Sequence, residues 1–145
     1  MKLYECDASW LDGASIASAP YWQNIRPSFT SRPRPIVGKY ASPILVDGRI
    51  YTASDESFIS CLDAATGNTV WTERVGGKFI ASPIYGDGRL YFPSQDGATF
   101  VMKPGRELNI LATNTLASGF MACPAASGKS LFLRSKTDLY RIEQP

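Results

Sequence analysis

At 145 residues the chain has the length of one ordinary domain, enough to bury a real core. Its 15 basic and 13 acidic residues leave a net charge of +2, too slight to argue for nucleic acid or an anionic membrane as a partner. Histidine is absent, which removes the commonest general base, the imidazole metal ligands and every Ser-His or Cys-His nucleophile pair. The three cysteines, Cys6, Cys61 and Cys123, are odd in number and widely spaced, so packing rather than a disulfide framework or zinc is their expected use.

In chain order, Lys2 is soon followed by Glu5, Asp7 and Asp12, so no uninterrupted apolar core of a signal peptide forms and the sequence leaves the compartment open. No stretch approaches the ~18 consecutive apolar residues that a membrane helix needs. "RPSFTSRPRP" sets Arg26, Arg32 and Arg34 among prolines; an extended linker with solvated charges is expected there in preference to an anion patch.

From Ala41 the chain writes one sentence twice. "ASPILVDGRIYTAS" (41–54) and "ASPIYGDGRLYFPS" (81–94) agree at 9 of 14 positions at an offset of forty. Asp47-Gly48 and Asp87-Gly88 each separate two short runs rich in strand formers, the strongest two-residue hairpin signal, because both central residues need positive φ. Pro43 and Pro83 lack a backbone donor and are expected at the first residue of a strand. A third strand follows in "SFISCLDAATG", ending in a turn for which Asp63 offers acceptors and Gly67 a left-handed position. "NTVWTERV" supplies a fourth.

The second copy keeps this plan, with Pro104-Gly105 standing in for the Asp-to-Gly turn, "ELNILATN" as its fourth strand, and Ile110 and Leu111 as the bulk in place of a tryptophan. A third and looser copy begins at "FMACPAASGKSLFLRS". Pro124 lies 41 after Pro83, and Gly128 lies 40 after Gly88. The chain stops after "DLYRIE" with three strands of this copy. "SGKS" (127–130) ends like a phosphate loop, but Cys123 stands where that motif needs glycine, and a hairpin turn is expected.

Four short strands in about forty residues is the size of one propeller blade. Such a sheet is apolar on both faces and needs a neighbour on each, so the Leu, Ile, Val, Tyr and Phe at strand centres are expected between blades. The predicted fold is all-β, a partial propeller of about three four-stranded blades. Residues 39–77, 78–116 and 117–145 form the units, the last incomplete, and 1–38 form an arm or degraded blade. In that arm "LYECDA" (3–8) faintly matches a third-strand ending, and Trp22 precedes Trp71 by 49 residues rather than forty.

"CLDAATGNTVW" resembles the tryptophan-docking motif of pyrroloquinoline-quinone-like repeats, Ala-x-Asp-x-x-Thr-Gly-x-x-x-Trp. Cys61 stands at the alanine position, and Asp63, Thr66, Gly67 and Trp71 match the rest. The ending "SGFMACPAASGKSLFLRSKTDLYRIE" is similar to that of bacterial propellers of this family, described as quinoprotein-like or outer-membrane-assembly-factor-like and often exported. The resemblance covers roughly 36–143. It implies that the tryptophan packs between adjacent blades against the Thr-Gly turn.

Enzymes of this superfamily enclose pyrroloquinoline quinone with calcium in a full ring, and many carry a disulfide between neighbouring cysteines. This sequence has no adjacent cysteine pair and no carboxylate cluster of calcium-loop spacing. The expectation is therefore a non-catalytic module for protein interaction or scaffolding, without cofactor, completed by self-association or by further blades. The alternative is a fragment or subunit of a quinone-dependent alcohol or sugar dehydrogenase. The turns "SDES" (54–57), "SQDG" (94–97) and "SKTD" (135–138) recur between second and third strands, and Asp55, Glu56, Gln95, Asp96, Lys136 and Asp138 are their candidate partner-facing groups.

Overall fold

A computed structural model describes residues 38–143, and the arm with Trp22, Cys6 and the three arginines lies outside them. The described chain is all-β, in three antiparallel sheets. The first holds β1 (Ile44–Val46), β2 (Arg49–Ala53), β3 (Phe58–Asp63) and β4 (Thr69–Arg74) in sequential order. The second repeats this with β5 (Ile84–Gly86), β6 (Arg89–Pro93), β7 (Ala98–Met102) and β8 (Ile110–Thr115). The third has β9 (Ala125–Ser127), β10 (Ser130–Arg134) and β11 (Leu139–Glu143). The three sheets match a partial propeller and do not close into a ring among the described residues.

Both Asp-Gly hairpins adopt the backbone that their sequence requires. Asp47 and Gly48 have φ of 49° and 71°, Asp87 and Gly88 50° and 71°, the two positive values of a type I′ turn. The third hairpin is shifted by one residue. β9 ends at Ser127, so Gly128 (φ 56°) takes the place of Asp87 rather than of Gly88. A glycine at the first central position suits a type II′ turn, which frees Lys129 from positive φ. Pro43 and Pro83 immediately precede β1 and β5, just outside the ladder that they cannot join.

The core lies between the first and second sheets. Tyr51, Ile59 and Cys61 face Leu90, Phe92, Phe100 and Met102, all buried, with Phe79 wedged between. Phe79 comes from the link between sheets. Its ring stands edge-on to Phe92 (6.3 Å, 82°) and tilted to Phe100 (5.9 Å, 59°), geometries that aromatic quadrupoles favour. The link is held on both sides: the Phe79 N–H donates to Ser54 O (3.4 Å), while Lys78 O accepts from the Gln95 N–H (2.7 Å). One repeat later Phe120, also fully buried, donates its N–H to Ser94 O (3.1 Å).

A second device steps from sheet to sheet where each copy begins. The Ser42 N–H donates to Ser82 Oγ (2.9 Å), and the Ser82 N–H donates to Cys123 Sγ (3.2 Å). The "Ala-Ser-Pro" and "Ala-Cys-Pro" entries are thus a repeating latch: each amide points forward to the side chain of the next copy.

Candidate functional site

The residues of the sequence motif meet at the seam between the first two sheets. Register places Tyr51, Cys61 and Trp71 side by side across β2, β3 and β4. A bulge between Cys61 and Leu62 leaves Val70 without a ladder partner, and such an insertion re-aims the residue beside it. The Trp71 Nε1–H donates to Gly105 O (3.3 Å), in the β7–β8 turn of the second sheet. The same oxygen accepts from the Tyr51 hydroxyl (3.4 Å) and lies 3.9 Å from Cys61 Sγ, and the Gly105 N–H donates to the Tyr51 oxygen (2.9 Å). Gly105 thus receives the indole with its backbone, and it does so without the positive φ that Gly67 (69°) needs in the equivalent turn.

Burial pushes the Cys61 thiol up, as it does the Tyr51 phenol with Cys61 beside it, which disfavours the thiolate. Cys61 is buried and Cys123 exposed. In a Cys6→Ser background, a thiol reagent is expected to label Cys123 at once and Cys61 only as the seam opens. Equal labelling rates would show that the seam is not closed.

The motif's turn is built by Asp63. Its Oδ1 accepts from the N–H of Thr66 (2.9 Å) and of Ala65 (3.1 Å) and from the Thr66 hydroxyl (2.9 Å). The Gly67 N–H closes the turn on Asp63 O (2.8 Å). Hydrogen bonds from the Thr66 backbone and hydroxyl hold the Asp63 carboxyl below its ordinary 3.8. Because the folded value is the lower one, the contribution is complete above pH 3.8 and is lost as pH falls through the folded value. An Asp63→Asn variant is expected to show a flatter fall of melting temperature below that pH. An unchanged acid limb would assign the acid sensitivity elsewhere.

The next seam is built differently. Tyr91, Val101 and Ala112 occupy the positions of Tyr51, Cys61 and Trp71, after the same bulge between Val101 and Met102. The tryptophan position is therefore Ala112; Ile110 and Leu111, expected to supply the bulk, are 40% and 50% exposed. A cleft of about 860 Å³ opens here, with Tyr91, Val101 and Ala112 on one wall and Leu131, Leu133 and Ile142 on the other. At its edge Arg141, Glu143 and Ser130 form a hydrogen-bonded group.

The six loop residues stay in three separate turns. Asp55 pairs with Lys39 (3.8 Å); the Glu56 N–H donates to Ser54 Oγ (3.3 Å); Gln95 is held through its backbone, as described. Asp138 accepts from the Thr137 hydroxyl (2.6 Å) and from the Tyr140 hydroxyl (3.4 Å). Asp96, Lys136 and Glu56 are exposed. Among the described residues no hydrogen bond or ion pair joins any of the six to another.

A serine opens each of these turns, with unequal use. Ser54 Oγ accepts from the N–H of Phe58 (3.2 Å) as well as of Glu56. Ser135 Oγ accepts from Asp138 (2.9 Å) and Thr137 (3.3 Å). Ser94 Oγ is buried without a partner. By urea titration, Ser94→Ala is expected not to lower stability, since it removes a buried hydroxyl that has no partner, whereas Ser135→Ala costs about 1 kcal/mol.

Sequence reasoning marked the donor side of the seam, Cys61 to Trp71, and missed its receiving side. Gly105 was legible only as a turn, and Tyr51 only as a strand residue; the forty-residue offset from Trp71 leads to Leu111, and only the ladder register, with a β7–β8 turn one residue longer than the β3–β4 turn, reveals Ala112. Among the described residues no three His, Cys, Asp or Glu side chains come together as metal ligands would.

Three antiparallel sheets in sequential order, repeating one hydrogen-bond scheme, define a β-propeller section. The profile of the family described as outer membrane protein assembly factor BamB, a PQQ-type family, matches residues 17–105, and the chain belongs to that family. Among solved structures, BamB from Moraxella catarrhalis superposes with a TM-score of 0.61 at 18% identity, over 77% of this chain and 38% of that one. A chain in a crystal structure of the mitotic checkpoint complex superposes at 0.56 and 14% identity, over 68% of this chain and 34% of that one. The protein thus spans 38% of the length of that BamB chain. A search of curated proteins finds no match.

Proposed function

We propose that the chain is a non-catalytic propeller section for protein interaction or scaffolding, divided into blades at 39–77, 78–116 and 117–145. The carrying observation is the repeated fastening of sheet to sheet, Ser42 to Ser82 to Cys123, which holds three equivalent turns in fixed relation. A rigid frame presenting variable turns is how repeat proteins bind other proteins. The family's description, outer membrane protein assembly factor BamB, assigns BamB to the assembly of outer membrane proteins, and a role of that class, contacting other polypeptides, is proposed here. A photo-crosslinking residue at Gln95 or Lys136 is expected to capture a defined protein that one at Leu45, exposed on β1, does not. Equal capture at all three overturns the reading, as does dye-linked alcohol or sugar oxidation after addition of pyrroloquinoline quinone and calcium.

The latch also supports extension by a second copy. Cys123 offers a forward amide with no partner among the described residues, and Ser42 a hydroxyl of the kind that such amides find in Ser82. Sedimentation in the micromolar range is expected to show species larger than the monomer. A folded monomer alone would sink self-completion and leave further blades as the extension.

A further inference from the structure

We propose that β8 pairs with β8 of a second copy, antiparallel about a twofold axis at Asn114. The pairing sets two copies side by side through a sheet edge. It goes beyond the end-to-end extension through the latch and does not depend on it.

Register decides which backbone groups of β8 are free. Past its bulge the strand runs regularly along β7, from Val101↔Ala112 to Ala98↔Thr115, and the Leu116 N–H donates to Gly97 O (3.0 Å). Hydrogen-bonded and non-hydrogen-bonded pairs alternate along an antiparallel ladder. Ala112, Asn114 and Leu116 therefore turn their peptide groups to β7, while Thr113 and Thr115 turn theirs to the open edge. In a pair centred on Asn114, Thr113 of each copy faces Thr115 of the other, and the two exchange N–H and C=O bonds. Threonine pairs across strands are favourable. Ala112 then faces Leu116, small against large, and Asn114 faces itself at the close position.

This edge stays open when sheets are added. The second sheet stacks on the first and receives Trp71 at Gly105, yet among the described residues no strand joins the outer edge of β4. A sheet following the third would likewise leave β8 uncovered at its edge. The other edges are guarded, as natural sheets guard theirs with charge or short length. β4 ends in Glu73 and Arg74, the latter 6.0 Å over the Phe58 ring; β11 carries Arg141 and Glu143; β1, β5 and β9 have 3 residues each. β8 has 6, all exposed, with no charge and no proline. A second copy is the fitting occupant because it brings the same uncharged edge, already held extended by its own β7. Neither like-charge repulsion nor the ordering of a loose peptide opposes that pairing. Five residues of each copy span about 17 Å, a small contact, so the dimer is a weak one.

The test follows amide resonances of the whole chain from micromolar to millimolar concentration. Those of Thr113 and Thr115 are expected to move saturably, and those of Thr72 and Arg74 on β4 to stay. Asn114→Asp keeps the shape and sets two carboxylates opposite each other at the axis. It is expected to weaken association about fivefold and to leave the melting temperature unchanged. In a Cys6→Ser, Cys123→Ser background, Asn114→Cys treated with diamide is expected to form a disulfide-linked dimer faster than Leu45→Cys on β1. Static Thr113 and Thr115 amides, undiminished association of the Asn114→Asp chain, or equal crosslinking at the two cysteine sites would overturn the proposal. Movement of the Cys123 amide alone would assign association to the latch and refute the β8 pair, so the two readings fail separately.

Discussion

Phe79→Ala is expected to destabilise the fold by about 4 kcal/mol, read as a shift of the urea midpoint. The side chain is fully buried between two sheets, against Phe92 and Phe100. Those rings are fixed by their own strands and cannot close the space left behind, so the cavity adds to the loss of apolar burial. Domain stabilities are about 5–15 kcal/mol, so this one ring accounts for a large share. A loss below about 1 kcal/mol would mean that the sheets hold together without it.

The second large effect is at Trp71. Trp71→Ala recreates at the first seam the arrangement that Ala112 gives the second, and it removes both the ring and the Nε1 bond to Gly105. A cost of about 3 kcal/mol is expected, at the lower end for such a change because the side chain is half-buried. The informative companion is Tyr51→Phe. It leaves the ring and takes only the hydroxyl that exchanges hydrogen bonds with Gly105, and about 1–2 kcal/mol is expected. If the two changes are made together and their effects add without coupling, the seam is two independent contacts and not one. Chemical denaturation of the four-member cycle decides this.

The forty-residue repeat made the strands readable because it reports a packing problem solved again, and Asp47-Gly48 and Asp87-Gly88 located the hairpins through a φ requirement that few residue pairs meet. Boundaries were less visible where chemistry is looser. The third hairpin slipped by one residue because Gly128 suits either central position of a turn. The substitution of Ala112 for a tryptophan was hidden for another reason: the β7–β8 turn, from Met102 to Ile110, is one residue longer than the β3–β4 turn, from Leu62 to Thr69, so a fixed offset read along the chain lands one residue short. Gly105 was the least legible of all. It contributes a carbonyl and an amide, which every residue has, so only its position distinguishes it.

The Gly119 backbone shows the same dependence on position: a Cβ there would collide with the Gln95 carbonyl, so the link into the third sheet runs through a place that only a hydrogen atom fits. Mechanically, the amide-to-side-chain relay of Ser42, Ser82 and Cys123 acts as the binding of a book. Pages fastened along that margin keep their order and spacing however far the free margins fan apart. The fore-edge can thus vary by one residue per page with the margin untouched.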